Sequence, residues 1–220
     1  MCFSAEASFG AGAVLSATGI ITMKKVQEPA QLAFAAIPLF FGIQQLAEGF
    51  VWITLSHDQY MQLQQMAVYI YTFFSHMLWP VWVPFAVLLF EKEQKKKNIL
   101  FGIFSVAMLL SLGELYYIIN FGVIGRVIGH HIQYSVNFPQ GFILVSDVLY
   151  PSVTFIPCFI SSQKRLRLFS ATLIISALIT EVIYQQWRVS AWCFFAAILS
   201  VIVYFILKEL PENKKIPLGG

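Results

Sequence analysis

Residues 66–98 read MAVYIYTFFSHMLWPVWVPFAVLLFEKEQKKKN. The first part, 66–90, carries no formal charge, and it closes on Glu91-Lys92-Glu93 and Lys95-Lys96-Lys97. A helix needs about 20 apolar residues to cross the hydrocarbon core of a bilayer, and a run of that length ended by lysines reads as one span anchored at its end. The same alternation of apolar run and short charged break recurs along the chain. It predicts seven spans, at 5–23, 32–55, 66–90, 99–119, 141–160, 168–187 and 190–207. The first is rich in Ala, Gly and Ser, a composition suited to a helix packed closely against its neighbours.

Composition agrees. The chain has 220 residues, 58% hydrophobic and only 11% charged, with a mean hydropathy of +0.73. A soluble domain carries about 25% charged residues, so this surface cannot belong to one. Three cysteines exclude a disulfide scaffold. The fold expected is an all-α membrane protein: a seven-transmembrane-helix bundle over 1–207, then a short cytoplasmic tail over 208–220. No cleaved signal peptide is implied, because Met1-Cys2-Phe3-Ser4-Ala5 has no basic segment ahead of an apolar one.

Charge placement sets the orientation. Twelve of the 14 basic residues fall after spans 1, 3, 5 and 7, from Lys24 and Lys25 to Lys214 and Lys215. Only Arg126 and Arg188 lie on the other side. By the positive-inside rule the N-terminus is outside and the C-terminus cytoplasmic, as an odd span count requires. These basic loops mark insertion and a lipid-bilayer partner, not nucleic acid, since no aromatic-interleaved basic surface accompanies them.

With that orientation, Glu6, Glu48, His76, Glu114, Asp147 and Glu181 all fall in the outer half of the membrane or near its midplane. A carboxylate facing lipid costs a few kcal/mol, so such groups turn to the bundle interior or a water-filled cavity. Two arrangements satisfy this: one shared pocket open to the extracytoplasmic side, or separate interhelical hydrogen bonds. Glu6 and Glu114, nearest the interface, are expected to be wetted there. Gln44, Glu48 and Trp52 share a helix face at i, i+4 and i+8, and His76 shares one with Trp79. Pro80 and Pro84 are expected to kink the third span and free carbonyls near His76. Asp147 pairs with Tyr150, and Glu181 with Gln185. The predicted ligand-binding residues are therefore Gln44, Glu48, Trp52, His76, Trp79, Asp147, Glu181 and Gln185.

The segment 120–141 is the longest connection. From His131 to Phe138 it alternates polar and apolar residues, the period of a half-buried strand. An extended lid over the outer mouth is expected, as a hairpin with residues near 122–128. Histidines and carboxylates on this side could hold a divalent transition metal such as zinc, with His131, His130, Glu48 and His76 as the candidate ligands. Hydrogen bonds from the two lid histidines to backbone carbonyls are the competing reading. Cys2 and Cys193 fall on the outer face, where a disulfide between them is permitted. Cys158 reads as a core residue.

The opening Met1-Cys2-Phe3-Ser4-Ala5, the run Gly42–Trp52, the span-3 motif Trp79-Pro80-Val81-Trp82-Val83-Pro84, the lid sequence Gly129-His130-His131-Ile132-Gln133-Tyr134, and Trp192-Cys193-Phe194-Phe195-Ala196-Ala197 resemble an uncharacterised bacterial family of small polytopic membrane proteins. The resemblance covers nearly the whole chain. It implies a multi-pass protein of the bacterial inner membrane and says nothing of substrate. Ser75, His76, Asp147 and the histidine pair also match the residue types of seven-span zinc-dependent lipid hydrolases of the ceramidase and adiponectin-receptor type. The last span, Ser190–Leu207, lacks their histidine pair.

The function expected is binding of a small polar, cationic or metal ligand from the extracytoplasmic side, in a receptor, sensor or transport role. With no output domain, signalling would require a membrane partner or homo-oligomer. The alternative is a metal-dependent hydrolase of a lipid or amide within the membrane. A third reading is a scaffold whose buried polar groups only lock helix packing.

Overall fold

Serine at the head of the first apolar run sets where the chain begins to coil. The Ser4 hydroxyl accepts a hydrogen bond from the Ala7 amide at 3.2 Å, satisfying one of the amides a helix start leaves open. A computed structural model describes residues 4–55, 58–129, 131–183 and 188–208, with backbone alone at 58, 183, 188–194, 196 and 197. Seven helices follow one another in it: α1 (Ala5–Met23), α2 (Pro29–Leu55), α3 (Met61–Phe90), α4 (Gln94–Phe121), α5 (Gln140–Ile160), α6 (Leu166–Ile183) and α7 (Arg188–Lys208). Among the described residues α2, α3, α4 and α5 are long and apolar enough to cross a membrane.

Small residues decide the tightest seam. α1 lies along α2 so closely that a Cβ on Gly19 would sit 2.6 Å from the Leu39 Cα, and one on Gly42 would sit 2.6 Å from the Ser16 amide nitrogen. The Ala/Gly/Ser composition of α1 is therefore a packing surface. α3 is continuous but not regular. Its residues Phe73–Leu78 form a π-helical turn that ends two residues before Pro80, which lacks the N–H that would bond back to the preceding turn. The expected disturbance near His76 is present as this wide turn.

The segment between α4 and α5 is a hairpin. β1 (Val123–Ile128) and β2 (His131–Val136) pair antiparallel, with Val123 opposite Val136 and Ile128 opposite His131. Gly122 at φ 76° and Gly129 at φ 65° take the left-handed backbone that ends α4 and turns the hairpin. The expected extended segment is thus found, as a hairpin. His131 and Ile132 are both buried, so the expected division into one wet and one dry face fails at the start of β2. The ribbon is wedged between elements, since β2 touches α4 and α7 while β1 touches α2 and α3.

The two ends of the bundle differ. Opposite the hairpin, Lys92 meets Glu28 at 3.4 Å and Lys96 donates to the Ser162 hydroxyl at 2.9 Å, so three basic connections converge at one end. Glu91 clamps them. Its carboxylate accepts from the Lys92 and Glu93 amides, both at 2.8 Å, from the Ser161 hydroxyl at 3.0 Å and from the Ser162 amide at 2.6 Å. Burial pushes this carboxyl up, but hydrogen bonds from Glu93, Ser162 and Ser161 outweigh it and hold it at about 2. Above the clamp lies the main apolar core, including Phe34, Phe90, Leu100, Cys158, Phe169, Leu199 and Leu207.

Candidate functional site

The π-helical turn of α3 presents Ser75 and His76 toward α4 and α5. Turns of this kind, inserted in α-helices, recur at functional sites because they leave backbone carbonyls open. Here the Ser75 carbonyl accepts from the Tyr150 hydroxyl at 2.6 Å, and the Met77 carbonyl from the Ser111 hydroxyl at 3.2 Å. One turn on, the Trp79 indole N–H donates to Gln44 Oε1 at 2.7 Å. Its ring stacks on Phe41 with centroids 4.0 Å apart. That bond ties α2 to α3 and fixes the orientation of both side chains.

Glu114 completes the wall from α4. It is 1% exposed. Its Oε1 accepts from the Ser146 hydroxyl at 2.6 Å, while Oε2 stands 3.7 Å from His76 Nδ1 and accepts no hydrogen bond among the described residues. At 3.7 Å the contact is an ion pair when the imidazole is protonated, not a hydrogen bond. The expectation of a wetted Glu114 is corrected. α4 continues to Phe121, so Glu114 lies about 10 Å short of its end, at 1.5 Å per residue. The lid packs the other side, with Tyr134 stacked on Tyr71 at 4.3 Å.

These groups surround a half-open cavity of about 850 Å³. Of the predicted ligand-binding residues, Gln44, His76, Trp79, Asp147 and Glu181 line it together. They come from four different helices. Ser75, Glu114, Ser146, Tyr150 and Thr180 line it as well. Thr180 is 2% exposed, and its hydroxyl has no hydrogen-bond partner among the described residues. Its exposed lining members Ser135, Ile143, Asp147, Leu178 and Glu181 mark a mouth beneath the hairpin, between α5 and α6.

Glu48 and Trp52 do not figure in the lining. Glu48 is fully buried and accepts from Gln45 Nε2 at 2.9 Å. Trp52 packs under the hairpin with Val51, Val68, Val123 and Ile132. A 100° step per residue lets the face shared by Gln44, Glu48 and Trp52 drift around the helix, so only its first member reaches the cavity. His131 is buried in β2. Gln185, His130 and Cys2 lie outside the described residues, as does the side chain of Cys193. Among the described residues no three His, Cys, Asp or Glu side chains converge as a metal ion would need.

Comparison with known families matches the chain to a family of unknown function, DUF6629, over residues 1–216. The chain belongs to that family. No curated protein and no solved structure matches it. The chemistry of the site therefore rests on its own geometry. Ser146 and Thr180 left no signal in the sequence, because hydroxyls inside apolar helices commonly bond back to their own turn. Ser105, Ser152 and Thr172 do that. Three carboxylates against a single imidazole give the cavity a net acidic lining. It can accept hydrogen bonds and cations, and Trp79, Tyr134 and Phe138 add aromatic faces.

Proposed function

We propose that this protein is a one-sided ligand-binding protein of the membrane, a receptor or sensor whose acidic cavity opens to the extracytoplasmic side and takes a small polar or cationic ligand. On this reading all seven helices cross the bilayer, with the hairpin outside and the Glu91 clamp in the cytoplasm. One observation carries it: Glu114, His76, Asp147 and Glu181, distant in sequence, line one cavity. A carboxylate buried in an apolar helix is costly unless it serves a partner or a pathway, and one Glu114 oxygen accepts no hydrogen bond among the described residues. The apolar core that fills the basic end favours a binding site over a transport path. Phe34, Phe90, Phe169 and Leu207 pack together in that core, and Phe169 also forms part of the cavity wall.

The test is side-specific labelling. Ser135→Cys and Lys95→Cys are made singly in a chain whose native cysteines are serine. A membrane-impermeant maleimide is expected to modify Ser135→Cys in intact cells, and Lys95→Cys only after permeabilisation. Millimolar ethylamine is expected to slow the first reaction by occupying the cavity. Reversed sidedness, or a rate indifferent to ethylamine and to other small polar amines, would overturn the reading.

A further inference from the structure

We infer that the occupant is a single-chain amphiphile, a primary ammonium head on an alkyl tail, lying lengthwise in the cavity. This rests on the reading of the cavity as a ligand site and names the class of ligand. The geometry that carries it is the cavity's long axis. Its lining runs on α5 from Ile143 to Phe155 and on α6 from Glu181 back to Phe169. Each stretch is thirteen residues, about 18 Å of helix. The two helices are level at the far end, where the Ser170 hydroxyl donates to the Phe155 carbonyl at 2.5 Å.

Polarity is graded along that axis. Near the hairpin the wall holds Glu114, Ser146, Asp147, Thr180 and Glu181. Toward the basic end it holds Ile37, Val83, Phe155, Phe169 and Leu173, with Thr154, whose hydroxyl already donates to the Tyr150 carbonyl at 2.7 Å. A compact hydrophilic cation would satisfy the first half and leave the second as an apolar void. Voids of that kind forfeit the dispersion contacts of every atom lining them, and water does not fill them. An alkyl chain does. At the head end, Glu114 Oε2 and the Thr180 hydroxyl have no hydrogen-bond partner among the described residues. The N–H donors of a primary ammonium match both, whereas a sulfate or carboxylate head would meet the carboxylates. The mouth pairs Asp147 and Glu181 with Ile143 and Leu178, so head and tail both find matching surface on the way in.

The experiment titrates nanodisc-embedded protein with ethylamine, octylamine and octanesulfonate, with empty nanodiscs subtracted to remove partitioning into lipid. Saturable octylamine binding is expected to be about four thousandfold tighter than that of ethylamine, at roughly fourfold for each of the added methylenes. Octanesulfonate is expected not to saturate. Glu114→Gln is expected to weaken octylamine at least tenfold. Ile174 lines the cavity beside Leu173, and Ile174→Trp fills that half; it should bring octylamine down toward ethylamine while leaving ethylamine binding intact, which also reports that the variant is folded. Ala177→Leu repeats the test with a smaller insertion. Equal affinities for ethylamine and octylamine would overturn the amphiphile and leave the ligand site standing. Equal octylamine and octanesulfonate binding would overturn the cationic head. Saturation by none of the three would remove both readings together.

Discussion

Replacing Glu91 by Gln tests how the loops of the basic end are held together. The carboxylate is 1% exposed and receives four hydrogen bonds, two of them from the connection after α5. Every partner is a donor. A Gln amide would keep one acceptor oxygen and point an N–H₂ at amides or hydroxyls that also donate, leaving buried groups unmatched. The hydrogen bonds hold the Glu91 carboxyl at about 2 against an ordinary 4.5, a difference of roughly 3 kcal/mol between the ionised and neutral forms. The sign follows from the depressed value. This stability is fully present above pH 4.5, the unfolded value, and is lost as pH falls from there through about 2. Unfolding by SDS in mixed micelles, followed by circular dichroism, measures it. Glu91→Gln is expected to lose roughly 3 kcal/mol at pH 7. The gap to the native protein is expected to close as the pH approaches 2. A variant within about 0.5 kcal/mol of the native protein at pH 7, the range of an inconsequential surface change, would refute the clamp. So would a gap as wide at pH 2.5 as at pH 7.

Three further outcomes are expected. Gly19→Ala should destabilise by about 1–3 kcal/mol, because the new methyl meets the Leu39 backbone and helix must move from helix; Gly10→Ala, with nothing within 4 Å, is the paired control and should be neutral or slightly stabilising in the same SDS titration. Tyr150→Phe removes the hydroxyl that donates to the Ser75 carbonyl and should cost about 1 kcal/mol, with amide hydrogen exchange quickening in 73–78 and not in α1. Trp79→Phe keeps the ring on Phe41 but strands Gln44 Oε1; its cost should be about 1–3 kcal/mol, and it should vanish when Gln44→Leu is made in the same chain, as a double-mutant cycle would show.

Helix number and position were legible in the linear chain because they depend on local quantities. The alternation that starts at residue 66 needs only about 20 apolar residues and a charged stop to be read, and α3 indeed ends at Phe90, one residue before Glu91. The hairpin was legible for the same reason, since period-2 alternation and two glycines are local signals. Gln44, His76, Trp79, Asp147 and Glu181, each a polar or amphipathic group in an apolar helix, all line the cavity, Asp147 and Glu181 at its exposed mouth.

Which of these residues meet was not legible. Glu48 and Glu114 are both acidic residues inside apolar runs, with nothing in the sequence to rank them. Helix rotation and crossing put Glu48 against Gln45, behind the wall, and Glu114 beside His76, within it. The same holds for Thr180 and Ser146, whose hydroxyls count only because of what stands opposite. The sequence by itself determined that the chain folds as apolar helices with a hairpin between the fourth and fifth. Spacing along one chain sets period and length. Only tertiary structure decided the site, because the distance between two side chains on different helices depends on how the helices rotate and pack.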